Sequence, residues 1–481
     1  MPRAEHTLGI DEGTTGVRAA VVDASGRVAG QAYVEVAQRF PHPGWVESDP
    51  SEIWERTREV VARALGAAKL QPSDVAAVGV TNQRGSAALF ESSGKPLGPI
   101  IGWQDQRTTA RCEELLGQGV FVIPMAAASK YEWLLREHAG GVAREHLRVG
   151  TIDTWLAYKL SSGAVHASDH SNLSVSGLYD LFGGGWDARH LEALAMDERW
   201  LPRRVETSEI VGETSAAEFG AAVPIASLSG DQHASMYGLA CHQPGSIKLT
   251  LGTSGMLDKH SGTALGDSPP GAYPLVLWSL DGVRSFCFEG AVITAGAAAQ
   301  WLRDGIGIVS DLAELEPLAR SVESSDGVWM VPSLQGLGTP HLDIATRALV
   351  GGVSRGTTRA HLARAALEGI AWRCAEAFTA LAGDRPPETL RVDGGASAND
   401  LLLELLADAS GVVVERPRVL DSAVLGAAFL AGRGVGLWTD ERVQSSWASA
   451  ARFEPRIGAD ERAEKRECFA RRVALVREAG A

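Results

Sequence analysis

Three glycine-rich turns and one aspartate hold the residues of this chain best suited to chemistry. The first turn, Ile10-Asp11-Glu12-Gly13-Thr14-Thr15-Gly16, joins two apolar runs. Gly13 and Gly16 carry no Cβ, so backbone N–H groups there can approach phosphate oxygens, and the Thr14 and Thr15 hydroxyls add donors. Asp11, acceptor-only when ionised, suits a hard cation such as Mg2+ that prefers oxygen ligands. A second turn, Leu249-Thr250-Leu251-Gly252-Thr253-Ser254-Gly255, repeats the pattern, so two hydroxyl-lined turns could clamp a polyphosphate from opposite sides. The third, Val392-Asp393-Gly394-Gly395-Ala396-Ser397-Ala398-Asn399, lies between a strand and a helix N-terminus, where a nucleoside could rest against bare backbone. Asp231 follows the apolar run Val223 to Leu228 and a glycine, which sets its carboxylate at a strand end. Each turn alone is also an ordinary hairpin or connection; the three together point to a nucleotide cleft.

The elements needed to hold these groups occur twice. Thr7 to Asp11, Arg18 to Val22 and Val28 to Val36 read as three strands, the last two joined at Asp23-Ala24-Ser25-Gly26. A helix follows, with Asp49 as N-cap, Pro50 as first residue, Glu52 closing a capping box and Ile53, Trp54, Val60 and Val61 on its apolar side. A buried strand, Val75 to Val80, then ends in Thr81-Asn82-Gln83-Arg84. The second half restarts with strands at Ile247 to Leu251, after Gly255, and at Val283 to Glu289. Helices near Thr294 to Leu302 and at Arg359 to Ala382, a strand at Leu390 to Asp393, a helix at Asp400 to Ala409 capped by Asn399, a strand at Val412 to Val414 and a helix at Ala423 to Gly432 complete it. The expectation is a duplicated α/β fold, domains 1–240 and 241–481, facing across a central cleft. The mixed-charge segment Glu461 to Arg477 reads as a solvated terminal helix.

Composition excludes several classes. The chain has 481 residues, with 45 Lys and Arg against 59 Asp and Glu, a net charge of −14 that would repel a nucleic-acid backbone. At 45% hydrophobic and 22% charged it is not a disordered chain. No run approaches the roughly 20 apolar residues of a membrane span, and the start, Met-Pro-Arg-Ala-Glu-His, lacks a secretory apolar core, so a cytoplasmic location is expected. Five dispersed cysteines form no Cys-x-x-Cys pair and read as reduced core residues. Self-association is left open.

The ordered segments resemble the FGGY carbohydrate kinases, of the ribonuclease-H-like actin/Hsp70/sugar-kinase fold group, and within them most nearly the glycerol kinases. Besides the turns, Pro43-Gly44-Trp45-Val46-Glu47, Thr81-Asn82-Gln83-Arg84, Gly150-Thr151-Ile152-Asp153-Thr154-Trp155-Leu156, Gly230-Asp231-Gln232 and Gln300-Trp301-Leu302-Arg303-Asp304 carry the resemblance. It implies ATP and Mg2+ as cofactors, with Thr14, Thr15, Gly16 and Arg18 at the phosphates, Thr253 opposite, and Gly296, Gln300, Gly395 and Asn399 as further nucleotide contacts. It makes Asp231 the catalytic base and places Arg84, Trp103, Asp231 and Gln232 against the acceptor, where an Arg fork binds hydroxyls and a Trp face covers a carbon skeleton.

The acceptor end departs from the pattern. Gly85 stands where glycerol kinases place a Glu, Met125 where they place a Tyr and Met256 where they place a Phe. Losing a charged acceptor weakens a bound hydroxyl by about 1.5–3 kcal/mol, and Gly85 is expected to leave volume beside Arg84 for a longer substrate. The expected activity is ATP-dependent phosphorylation of a primary hydroxyl of a small polyol, glycerol to glycerol 3-phosphate. Another polyol or a ketose, or a regulatory homologue that binds nucleotide without catalysis, are the alternatives.

Overall fold

The computed structural model describes residues 5–480, so most of the start read for a leader, residues 1–4, lies outside the described residues. The chain divides into two compact units. The first comprises Met1–Ala240, Leu275–Ser285 and Ala423–Ser446; the second comprises Cys241–Pro274, Phe286–Ser422 and Trp447–Ala481. Two stretches beyond residue 240 therefore pack with the first unit, and one carries most of a strand, Tyr273–Leu280, that the sequence reading lacks.

In the first unit, strands β1 (His6–Gly13), β2 (Gly16–Val22) and β3 (Val28–Glu35) form an antiparallel meander. Helix α1 (Pro50–Ala68) begins at Asp49, whose carboxylate accepts from the Ser51 N–H at 2.9 Å. Glu52 does not close the expected capping box; its Oε1 accepts from the Ala37 N–H at 3.3 Å, tying the helix start to the chain leaving β3. Ile53, Trp54, Val60, Val61, Ala64 and Leu65 of α1 are buried against Leu8, Ile10, Val17 and Val21. Then come β4 (Val75–Asn82), helices α2 (Ala128–His138) and α3 (Ile152–Leu160), the short edge strand β5 (Gly212–Glu213), β6 (Pro224–Gly230) and helix α4 (Asp231–Gly238). The sheet order is β5-β6-β4-β1-β2-β3, with β6, β4 and β1 mutually parallel and β5 antiparallel.

The two faces of this sheet differ because side chains alternate along each strand. Leu8, Ile10, Val78, Val80, Ile225 and Leu228 join the large core under α1 and α3. The other face is made of small residues, Gly9, Ala77, Gly79 and Ala226, and is roofed by the helix Ser422–Gly434. A Cβ on Gly9 would overlap the Val424 carbonyl oxygen, and one on Gly79 that of Ala427, so helix backbone lies directly on strand backbone.

The second unit repeats the plan with β7 (Ile247–Leu251), β8 (Gly255–Gly262), β9 (Val283–Val292), α5 (Gly296–Asp304), α6 (Arg359–Ala382), β10 (Thr389–Asp393), α7 (Asp400–Ser410), β11 (Val413–Pro417), β12 (Ser449–Phe453) and α8 (Ala459–Gly480). Six of the seven strands of its sheet run in the order β9-β8-β7-β10-β11-β12, with β7, β10 and β11 parallel and the others antiparallel to their neighbours. Order and direction match the first unit strand for strand, so one fold is used twice. Its core joins Ile247, Leu249, Leu390, Val392 and Val414 to Ala366, Ile370 and Cys374 of α6 and Leu402 and Leu406 of α7. Helix α8 is not simply solvated as expected: Phe469, Val473 and Val476 are buried against Val331 and Leu337. All five cysteines are free and four are buried. Among the described residues no helix is long and apolar enough to cross a membrane.

Candidate active site

Three parallel strands of the first unit end side by side. Register pairs Asp11 with Thr81 and Thr81 with Ser229, then Glu12 with Asn82 and Asn82 with Gly230. One residue further along each strand, the chain delivers Gly13, Gln83 and Asp231. Carboxyl ends of parallel strands are where α/β sheets present ligand-binding groups, because the strands diverge into loops there.

Asp231 opens α4 and its side chain is 25% exposed. Its Oδ1 accepts from Arg84 Nε at 3.2 Å and from the Gln232 N–H at 2.7 Å. Arg84 is 8% exposed, and its Nη1 lies 3.5 Å from His233 Nε2. The backbone just before Asp231 is fixed from behind: the Gly230 N–H donates to Ser171 Oγ at 2.9 Å, and that hydroxyl donates to Asp169 at 2.9 Å. Thr207 also donates to Asp169, a fully buried carboxyl whose pKa burial raises.

A group to which the sequence assigns no role lies among these residues. Glu12 is 1% exposed, and its carboxyl accepts from Gln83 Nε2 at 3.1 Å while its carbonyl accepts from the Gln83 N–H at 2.7 Å. Burial first, then the negative charges of Asp11 and Asp231, push its pKa well above the usual carboxyl range, and the Gln83 amide pulls back. The charges of Asp11 and Asp231 are thus felt at Glu12, which collects negative charge at this sheet end. The signal was present in the Asp11-Glu12 pair.

The β1–β2 turn is a two-residue loop, Thr14-Thr15, closed by the Gly13–Gly16 pair. Gly16 is required for packing, since a Cβ there would overlap the Val34 carbonyl oxygen and the Tyr33 ring, whereas Gly13 has space. Tyr33 donates to the Thr15 carbonyl at 3.0 Å and its oxygen lies 3.2 Å from Thr15 Oγ1, so the Thr15 hydroxyl proton is taken up by Tyr33. Thr14 Oγ1 accepts from the Trp103 indole N–H at 3.2 Å, which leaves its own proton free to donate. The Arg18 guanidinium lies over the Tyr33 ring, 5.0 Å from its centre.

Trp103 is held by its backbone N–H donating to Ser86 Oγ at 3.1 Å. Its loop is anchored by Asp105, fully buried, which accepts from the Val46 N–H and from Arg107. Arg107 is stacked 3.7 Å from the Trp45 ring centre and bonds Glu47, which accounts for the Pro43-Gly44-Trp45-Val46-Glu47 segment as a brace for this loop. Gly85 has φ +74°, and a Cβ on it would overlap the Met125 carbonyl oxygen, so backbone fills the place a larger residue would need. Met125 itself is exposed.

In the second unit, the Gly252-Thr253-Ser254 loop packs on the start of α5. The Thr253 carbonyl accepts from the Ala295 and Ala297 N–H groups and the Gly252 carbonyl from the Gly296 N–H. A Cβ on Gly296 would overlap the Gly252 oxygen, and one on Gly394, φ +86°, would stand 2.6 Å from the Leu251 oxygen. The Thr253, Gly296 and Gly395 segments therefore meet at one end of this sheet. Gln300 is exposed on α5, and Asn399 caps α7 by accepting from the Leu402 N–H at 2.9 Å. Met256 is half-buried on β8. Behind the turns, Lys248 and Asp258 form a wholly buried ion pair at 3.0 Å. Lys248 also donates to Thr250, which donates to Asp393.

Residues 6–238 match the model of the FGGY family of carbohydrate kinases, N-terminal domain, and residues 247–435 match the C-terminal domain. The chain is 41% identical to a glycerol kinase from Deinococcus radiodurans over 99% of both chains. It is 40% identical to glycerol kinase 2 from Thermotoga maritima, covering 95% of this chain and 96% of that one. The crystal structure of Plasmodium falciparum glycerol kinase with ADP superposes with a TM-score of 0.89 at 25% identity, over 98% of both. A xylulose kinase from Rhodospirillum rubrum, at 23% identity and a TM-score of 0.84 over 99% of both, has the same fold.

Proposed function

The chain belongs to the FGGY family of carbohydrate kinases, and from that premise we propose that it transfers the γ-phosphoryl group of ATP to a primary hydroxyl of glycerol, yielding glycerol 3-phosphate and ADP. The observation that carries this reading is the Asp231–Arg84 pair at the end of β6 and β4, beside Thr14 and Trp103. Relatives named glycerol kinase at about 40% identity over nearly the whole chain support the acceptor.

In this reading Arg84 and Gln232 bind acceptor hydroxyls and the Trp103 face covers the carbon skeleton, excluding water. Asp231 accepts the proton of the attacking hydroxyl as its oxygen bonds to phosphorus and the bond between the β and γ phosphates breaks, ADP leaving with the electron pair. The free Thr14 proton, the backbone at Thr15 and Gly16, and Arg18 take phosphate oxygens. Thr253, Gly296, Gln300, Gly395 and Asn399 take the nucleotide. Asp11, a carboxylate at the end of β1, would hold Mg2+, which when bound would spread the charge of the transferring phosphoryl group. Domains 1–240 and 241–481 then serve mainly acceptor and phosphates, and nucleotide, respectively.

A panel of glycerol, tetritols, pentitols and ketoses in a coupled ADP-release assay tests the reading. Glycerol is expected to give the highest kcat/KM. A clear preference for a longer polyol or a ketose would overturn the acceptor, and no ADP with any acceptor would overturn the activity.

A further inference from the structure

Lys130 of α2 is wholly buried, yet its ammonium meets two backbone carbonyls: Nζ donates to Gly85 at 3.0 Å and to Met125 at 3.2 Å. The two carbonyls come from separate segments that touch only because residue 85 has no Cβ and takes φ +74°. Gly85 sits between Arg84, which holds Asp231, and Ser86, whose hydroxyl accepts from the Trp103 backbone. The two neighbours of Gly85 thus tie to Asp231 and Trp103, both residues placed at the acceptor. A buried ammonium is costly to desolvate, and two convergent carbonyls without a donor are costly too, so each justifies the other. Burial draws the Lys130 pKa down to about 7, with the negative charge of Asp105, the anchor of the Trp103 loop, pulling back and Arg107 adding repulsion.

We propose that Lys130 is a positioning residue for the acceptor: by gathering the Gly85 and Met125 carbonyls it sets the spacing of Arg84 and Trp103, and with it which polyol binds. This rests on the reading of Arg84 and Trp103 as acceptor contacts. It makes Gly85 and Lys130 one device, in which the close approach of two segments stands where the resemblance expects a carboxylate side chain.

The test is steady-state kinetics of the full chain with glycerol and ATP varied separately, for wild type, Lys130→Met and Gly85→Ala. Methionine keeps the stem length and removes the donor; alanine forces the Met125 carbonyl away. Both variants are expected to raise the KM for glycerol tenfold or more and to leave the KM for ATP within twofold. Equal changes in both KM values, or no change in a folded variant, would overturn the inference while leaving the kinase reading intact. If circular dichroism shows that neither variant folds, Lys130 serves the core rather than the acceptor, and the inference falls. A wild type inactive on every polyol would remove the kinase reading and the inference together.

Discussion

The two units share strand order and direction, but the ends of their three parallel strands are furnished differently. In the first unit, β1, β4 and β6 run out into Asp11-Glu12, Gln83-Arg84 and Asp231. In the second, β7 and β10 run out into Gly252 and, past Asp393, Gly394-Gly395, and β11 into Arg418, while Lys248 and Asp258 form a buried pair within the sheet. The same scaffold offers carboxylate, amide and guanidinium side chains at all the inner strand ends of one copy and glycine turns at two of the three of the other. The lesson is that a duplicated sheet can divide labour by changing only a few residues at equivalent loop starts, with acid–base chemistry on one copy and close backbone approach on the other.

The largest test of that contrast is Asp231→Asn, expected to lower kcat roughly a hundredfold to ten-thousandfold in the ADP-release assay, the usual range for a lost general base. An unchanged kcat would leave the charged ends of the first unit without a chemical role. Lys248→Met should act on stability instead, costing about 3–5 kcal/mol in urea denaturation because Asp258 is left buried without its partner. If it altered turnover without loss of stability, the pair would have to be moved from the scaffold to the site. Thr253→Val should raise the KM for ATP about tenfold through one lost hydrogen bond to a charged group, with the glycerol KM unchanged. The smallest effects compare two helix caps. Asp49→Ala and Asn399→Ala should each cost about 1 kcal/mol of stability, but only the second is expected to change the KM for ATP. Matching kinetics for the two caps would break the assignment of Asn399.

Most of the fold was legible because its signals are local. The helix at Arg359–Ala382 shows in its apolar period, and the glycine-threonine turns in their own sequence. What escaped depended on partners far away in the chain. Glu52 looks like a capping-box residue until Ala37, fifteen positions earlier, is seen to occupy it. Gly85 looks like an emptied site until the Met125 carbonyl is found against it. Lys130 has no sequence signal at all, since one lysine in an amphipathic helix is normally solvated, and only the two carbonyls explain its burial. The terminal helix reads as solvated from its sequence because its three buried residues are few among many charges.

The roof of small residues over the first sheet has a consequence for how this protein is made. Translation delivers β1 to β6 early, but the helix that lies on Gly9 and Gly79 belongs to the stretch Ala423–Ser446. At about 5–20 residues per second, the roughly two hundred residues between Ala240 and Ser446 take roughly 10–40 s to emerge. Through that interval the nascent first unit carries a bare, flat, glycine-lined surface that its own finished portion cannot cover, and a ribosome-bound chain stopped short of residue 423 should be a favoured client for holding chaperones.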